Sequence, residues 1–310
     1  MKIKTLPILS WLCLLCLVCA CGGVSRQKVE TPADVQAGAK AIEKGNRLYA
    51  QGCYRQAAPH FFRAHVAFTA ADDQPGVALS LNNLGNVYQA EGDADNAIAF
   101  FDESLAVSES LGDRPGILRA LSNKVAALIG ADRLEQAETL IAETARRAGE
   151  PFLPLQINQG ILLIKKKDYP RAQTVLEEAL AGVARQDRAS RAKIHFALGR
   201  LMRARGNPAG AIDHFQLALA DDRAVGSYRG MAQDHAQLGD AYREKDGPAR
   251  ALAHYKQAVK LYALLGAGDR VPAVLAKLEQ TADATGADIR ITTHFVKTWL
   301  EDKGLKRPCR

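Results

Sequence analysis

One arrangement of apolar, small and polar positions recurs along the body of the chain. LSLNNLGNVYQAEGDADNAIAFFDESLAV (79–107) aligns with 41–67, 121–145, 156–182, 195–220 and 235–262. Each segment holds two apolar blocks separated by a polar turn, which predicts two helices per segment. The first block carries a small residue at Gly45, Gly85, Gly160, Gly199 and Gly239, with Val125 in the third copy. Three places later stands a large one: Leu48, Tyr88, Leu128, Leu163, Met202 and Tyr242. The second block begins with Ala57, Ala97, Ala137, Ala172, Ala211 and Ala251. A large residue follows at Phe61, Phe101, Ile141, Leu176, Phe215 and Tyr255, then a small one at Ala64, Ser104, Thr144, Ala179, Ala218 and Ala258. Small residues let two helix backbones approach, and the large ones fill the groove between neighbours. Val125 predicts a slightly splayed third copy.

These coupled spacings resemble the tetratricopeptide repeat, a helix-turn-helix unit. The resemblance implies an all-α fold, a right-handed superhelical solenoid of six repeats at about 41–74, 78–111, 118–151, 153–186, 192–225 and 232–265. The second-helix alanines are spaced 40, 40, 35, 39 and 40 residues apart, longer than the usual 34. That lengthening resembles the LGN-like subclass, whose members are peptide-binding scaffolds and regulators. Gly76, Gly116 and Gly230 each lie 21 residues before the next motif alanine and are expected to end one helix and reset the chain. Residues 266–310 are expected to hold a capping helix over 271–286, with Val274, Leu275 and Leu278 on one face, then a short terminal helix and a basic tail.

The N-terminus is of another kind. Lys2 and Lys4 precede an apolar run from Leu6 to Ala20, with no acidic residue before Glu30. That is the pattern of a secretory signal, and it is too short to span a membrane. Val18-Cys19-Ala20-Cys21 resembles the lipobox of bacterial lipoproteins. The resemblance implies cleavage of residues 1–20, lipidation of Cys21, and a soluble body on a membrane surface. Gly22 rather than Asp favours the outer membrane, on its periplasmic side. Residues 21–40 are expected to form a lipidated, flexible tether. The C-x-x-C spacing of Cys13, Cys16 and Cys19 is then coincidental. Beyond Cys21 the remaining cysteines are Cys53 and Cys309. An oxidising compartment permits a disulfide between them. Their places near opposite ends of an elongated array favour two unpaired thiols.

Charge is uneven. Residues 21–150 carry 13 Lys+Arg against 17 Asp+Glu, whereas residues 151–310 carry 26 against 17. Export makes nucleic acid an unexpected partner, and leaves an acidic protein, anionic lipid or an envelope polymer as candidates for the basic half.

No catalytic constellation is evident: GxSxG, HExxH, a phosphate loop and GxGxxG are all missing from the sequence. No enzyme activity, cofactor or metal is expected. The histidines follow the repeat register, His60, His214 and His254 at one position and His195 and His235 at another, so a structural role is expected. Lys165, Lys166 and Lys167 fall in a turn. What such an array offers is a concave surface. Transferring the family's groove positions gives Asn46, Asn82, Asn86 and Gln89 in the first two copies, and Arg119 with Ser122 in the third. Ile157, Ile161 and Ile164 follow in the fourth, then Lys193, Arg200, Arg203, Asp240 and Arg243. Amides both donate and accept, so the groove would run from amide-rich through apolar to basic. The expected activity is non-enzymatic binding of an extended peptide or partner protein in cell-envelope assembly. Tetratricopeptide lipoproteins serve pilus secretin assembly, outer-membrane protein insertion and cell-wall enzyme regulation. An activator of a cell-wall enzyme and an adaptor for anionic polymers are the alternatives.

Overall fold

A glycine in a helix removes the atom that would hold a neighbouring helix away. The computed structural model describes residues 32–301 and residue 309, and the motif glycines act in this way throughout. A Cβ on Gly45 would lie 2.4 Å from Phe61, on Gly85 2.6 Å from Phe101, and on Gly160 2.5 Å from Leu176. On Gly199 it would lie 2.5 Å from Phe215, and on Gly239 2.5 Å from Tyr255. Each large second-helix residue therefore sits on the backbone of its own repeat's first helix. All five are fully buried, and each contributes on the order of 2–3 kcal/mol of transfer free energy.

The described residues form fourteen α-helices and no strand. The repeats are α1 (Ala33–Ala50) with α2 (Tyr54–Ala70), α3 (Gln74–Glu91) with α4 (Ala94–Ser110), and α5 (Arg114–Gly130) with α6 (Leu134–Ala148). They continue as α7 (Leu153–Lys165) with α8 (Tyr169–Gly182), α9 (Arg188–Ala204) with α10 (Pro208–Val225), and α11 (Tyr228–Glu244) with α12 (Pro248–Leu264). The odd-numbered first helices touch one another in succession and form the inner layer of a superhelical array. The caps α13 (Val271–Thr285) and α14 (Arg290–Glu301) pack on α12. Val274 and Leu278 are buried and Leu275 half-buried, on the face expected of a capping helix.

Helix starts follow local chemistry. The side chains of Asp73, Asp93, Asp168, Asp187, Asn207 and Ser227 each accept the amide three residues on, a cap that contributes about 1 kcal/mol. Gly76, Gly116 and Gly230 lie inside these first turns, not at a helix end. A Cβ on Gly76 would lie 2.4 Å from Phe68, and one on Gly116 2.2 Å from Asp113. They are small because the preceding helix and the cap residue press on them. Left-handed residues do the resetting, among them Gly92, Gly226, Asp72, Asp132, Lys167 and Asp246.

One further expectation changes and another is met. The first helix begins at Ala33, inside the stretch assigned to the tether, because Gly38 and Ile42 already pack into the first repeat. The third repeat keeps Val125 and Ile141 buried, yet α5 and α6 pair along less of their length than α3 and α4, as the bulk of Val125 requires. The short spacing of 35 arises next door, where α6 has 15 residues and α7 has 13.

The largest correction concerns Cys53 and Cys309, which form a disulfide with Cα atoms 4.9 Å apart. The array curls until the α1–α2 turn faces the start of α11. Gly52 (φ +85°) packs on Arg229, where a Cβ would lie 2.6 Å from the arginine Cβ. The Arg229 guanidinium sits 5.1 Å from the centre of the Tyr54 ring and donates to the Ala90 carbonyl at 3.5 Å. Gln56 donates to the carbonyl of Cys309. Curvature accumulated over six repeats thus brings into contact two regions that an extended array would hold apart.

Candidate partner-binding groove

The inner helices carry a ladder of amides, and most of its rungs join one repeat to the next. Asn83 Nδ2 donates to Asn46 Oδ1 at 3.4 Å, and Asn123 Nδ2 to Asn82 Oδ1 at 2.9 Å. Asn158 Nδ2 donates to the Ser122 carbonyl at 2.8 Å. The three donors share one register, two residues before the small motif position. That recurrence was visible in the sequence, but the donors face the preceding helix and not the groove. Tyr49 adds a hydroxyl bond to the Asn86 carbonyl at 3.4 Å. Asn82 is buried by these contacts, whereas Asn46 is exposed, and Asn86 and Gln89 are half-exposed.

The basic end is similarly divided. Arg203 forks onto Glu244 at 2.8 and 3.0 Å, and reaches Gln237 Oε1 at 2.6 Å and Asp240 at 3.3 Å. These bonds raise its pKa against the opposing effect of burial. Asp240, 4% exposed, also receives Lys277 at 2.8 and 2.9 Å and the Tyr255 hydroxyl at 2.7 Å. A buried carboxylate needs such compensation. Arg243 donates to Gln280 at 3.0 Å.

Arg119 and Lys193 are exposed. Arg200 is half-buried and has no hydrogen bond or ion pair to any described residue. Burial first, and then the Arg203 charge, push its pKa down. Ile161 is half-exposed beside this cation-bearing helix, whereas Ile157 and Ile164 are buried. Arg119, Lys193 and Arg200 are therefore groove cations without an ion pair to a described residue, Arg243 is bonded to an amide alone, and Arg203 is already matched by carboxylates.

Four of the histidines pair within repeats, across the first and second helices. His195 and His214 place their Nδ1 atoms 3.2 Å apart, and His235 and His254 2.9 Å apart. One ring donates and the other accepts, so the accepting ring is neutral. Burial, reinforced by the partner ring, lowers His195 and His235 to about 4. Among the described residues no group of three or more His, Cys, Asp or Glu is arranged to hold a metal ion. Lys165 and Lys166 bind Asp132 and Glu138. A cavity of about 470 Å³ lies at the closing contact, lined by Tyr54, Arg55, Glu91, Arg229, Asp269 and Cys309 among others. Its charges are of both signs.

The family profile described as Tetratricopeptide repeat matches residues 39–110, 76–149 and 153–224, and the chain belongs to this family. Among solved structures, the APC/C hetero-tetramer Cut9–Hcn1 aligns with 16% identity and a TM-score of 0.51, over 84% of this chain and 55% of that one. The chain thus spans about half the length of that relative. BtubC from P. vanneervenii aligns with 18% identity and a TM-score of 0.49, over 75% of this chain and 92% of that one. A tetratricopeptide repeat protein from Parabacteroides merdae shares 15% identity, with a TM-score of 0.43, over 86% and 100%. At these identities the likeness is one of fold. No curated protein matches. Cys21 lies outside the described residues, and no helix among the described residues is long and apolar enough to cross a membrane.

Proposed function

We propose that the chain is a membrane-tethered, non-enzymatic scaffold of the bacterial cell envelope, anchored through Cys21, that binds an extended acidic segment of another protein along its inner helices. Proteins of this family mediate binding to peptides or partner proteins. The observation that supports an acidic segment here is Arg200, a half-buried guanidinium without a carboxylate partner, beside exposed Lys193 and half-exposed Ile161. A carboxylate from outside would restore the bidentate pairing that Arg favours, and Ile161 would take an apolar neighbour. Asn86 and Gln89 would hold backbone at the other end. The long spacing and the 17- and 18-residue helices of the second, fifth and sixth repeats fit the LGN-like subclass of scaffolds.

The test is crosslinking in membranes followed by recovery of the complex. Wild type is compared with Arg119→Glu/Lys193→Glu/Arg200→Glu. The wild type should capture a partner that the variant loses, and the same set of proteins from both would overturn the groove reading. An adaptor for anionic polymers, the alternative suggested by the basic half, predicts binding that fades steeply with salt. A groove complex seated on Ile161 should persist. Cys21→Ser should release the protein from membranes, and continued attachment would exclude the lipid anchor.

A further inference from the structure

One junction in the array departs from all the others. Eleven residues beyond the motif alanine the copies carry Phe68, Ser108, Ala148, Val183, Asp222 and Tyr262. Five residues before the small motif position they carry Lys40, Ser80, Ala120, Leu155, Ile194 and Asp234. Lys40 precedes any junction. At the other junctions these positions hold apolar or small residues, and Val183 with Ile194 packs into one apolar cluster. Between the fifth and sixth repeats both positions are carboxylates.

Asp234 is 0% exposed, and neither of its oxygens receives a hydrogen bond. Its neighbour is Asp222, whose Oδ2 lies so near Gly230 that a Cβ there would be 1.7 Å away. The two side chains are in hydrogen-bond contact, Asp234 buried and Asp222 half-buried, and two carboxylates in such contact do not both stay ionised. A proton between them supplies the donor that Asp234 lacks. Burial, and then the Asp222 charge, raise Asp234 to about 9, and burial raises Asp222 to about 6.

The surrounding charges do not offer another solution. Lys193 of α9 acts on Asp222 from a distance. Asp221 of α10 is held by Arg188 and Arg191 at 3.2 Å each. Tyr54 of α2 feels Asp222, and Tyr262 of α12 feels Asp234; both also feel Arg229 of α11 and Arg270. Two carboxylates without a third protein ligand also make a poor metal site. The pair lies beneath the turn from Gly226 to Gly230, whose Arg229 reaches across to Gly52, Tyr54 and Ala90.

We propose that Asp222 and Asp234 share one proton and form a pH-sensitive joint, which seats the Arg229 turn against the first repeat while protonated and loosens it when the proton leaves. The proton passes to solvent base, and two like charges remain in contact, one of them buried. The direction follows from linkage. A carboxyl raised above its unfolded value contributes fully only below that value, and its contribution is lost as pH rises through about 9.

The experiment uses the full, oxidised chain between pH 7 and 9.5, where the histidine pairs are already neutral. Urea unfolding and hydrogen exchange at residues 52–54 and 226–230 are followed, the exchange corrected for its intrinsic pH dependence. In wild type the unfolding equilibrium constant should rise by up to about tenfold per pH unit, and both segments should exchange faster together. Asp234→Asn, which keeps a donor for Asp222, should flatten both trends. A slope equal to that of wild type would overturn the proposal. Should that variant not fold, a carbon-13 titration of the aspartate carboxyls in wild type decides. A carboxyl that titrates above pH 8 supports the shared proton, and titration of every aspartate below pH 5 refutes it.

Discussion

The sulfur atoms of Cys53 and Cys309 are bonded across 256 residues of sequence, so the first repeat is covalently joined to a residue beyond α14. Arg229 and Gly52 make the non-covalent part of the same closure.

Removing the bond should therefore loosen the whole array. Cys309→Ser is expected to lower unfolding free energy by about 2–4 kcal/mol, because a long unfolded loop regains its freedom. Urea denaturation of oxidised wild type, reduced wild type and the variant checks this. The last two should agree with each other and differ from the first.

The motif glycines predict a steric hierarchy. Gly85→Val would place side-chain atoms where Phe101 lies 2.6 Å from the Cβ site, and should destabilise by about 1–3 kcal/mol. Gly92 has open space but a φ of +89°, so Gly92→Ala should cost about 1 kcal/mol through backbone strain alone. Thermal denaturation of the two variants would separate packing from conformation.

Asp240 binds Lys277, Arg203 and the Tyr255 hydroxyl from three different helices. Asp240→Ala strands these partners and should destabilise by about 3 kcal/mol. Glu43→Ala, at the exposed pair with Arg47, should leave the melting temperature nearly unchanged. Equal effects would mean that the buried node contributes no more than a surface pair.

The histidine pairs set an acid limit. His195 and His235 have folded values lowered to about 4, below the usual 6.5. Their stabilisation is complete above the unfolded value and is lost as pH falls from about 6.5 toward 4. Wild type should melt several degrees lower at pH 4.5 than at pH 7. His214→Gln/His254→Gln, without the paired rings, should lose less over the same interval.

Repeat number, helix order and the face each helix buries were legible in the sequence. The spacing from glycine to large residue recurs, and each such contact forms within one helix pair from residues 16 apart, as with Gly45 and Phe61 or Gly85 and Phe101. The groove was legible only as positions. Asn82 and Arg203 stand where the register puts them, yet their partners Asn123 and Glu244 lie 41 residues on, and periodicity does not say which way a side chain turns.

The sequence by itself determined a six-copy helical array, because close helix packing demands small and large residues at fixed local intervals. The tertiary structure alone decided that the array closes through Arg229 and Cys53–Cys309, and that Asp222 meets Asp234. The closure depends on curvature summed over many repeats, which no local spacing encodes, and the carboxylate contact depends on how α10 and α11 turn toward each other at one junction.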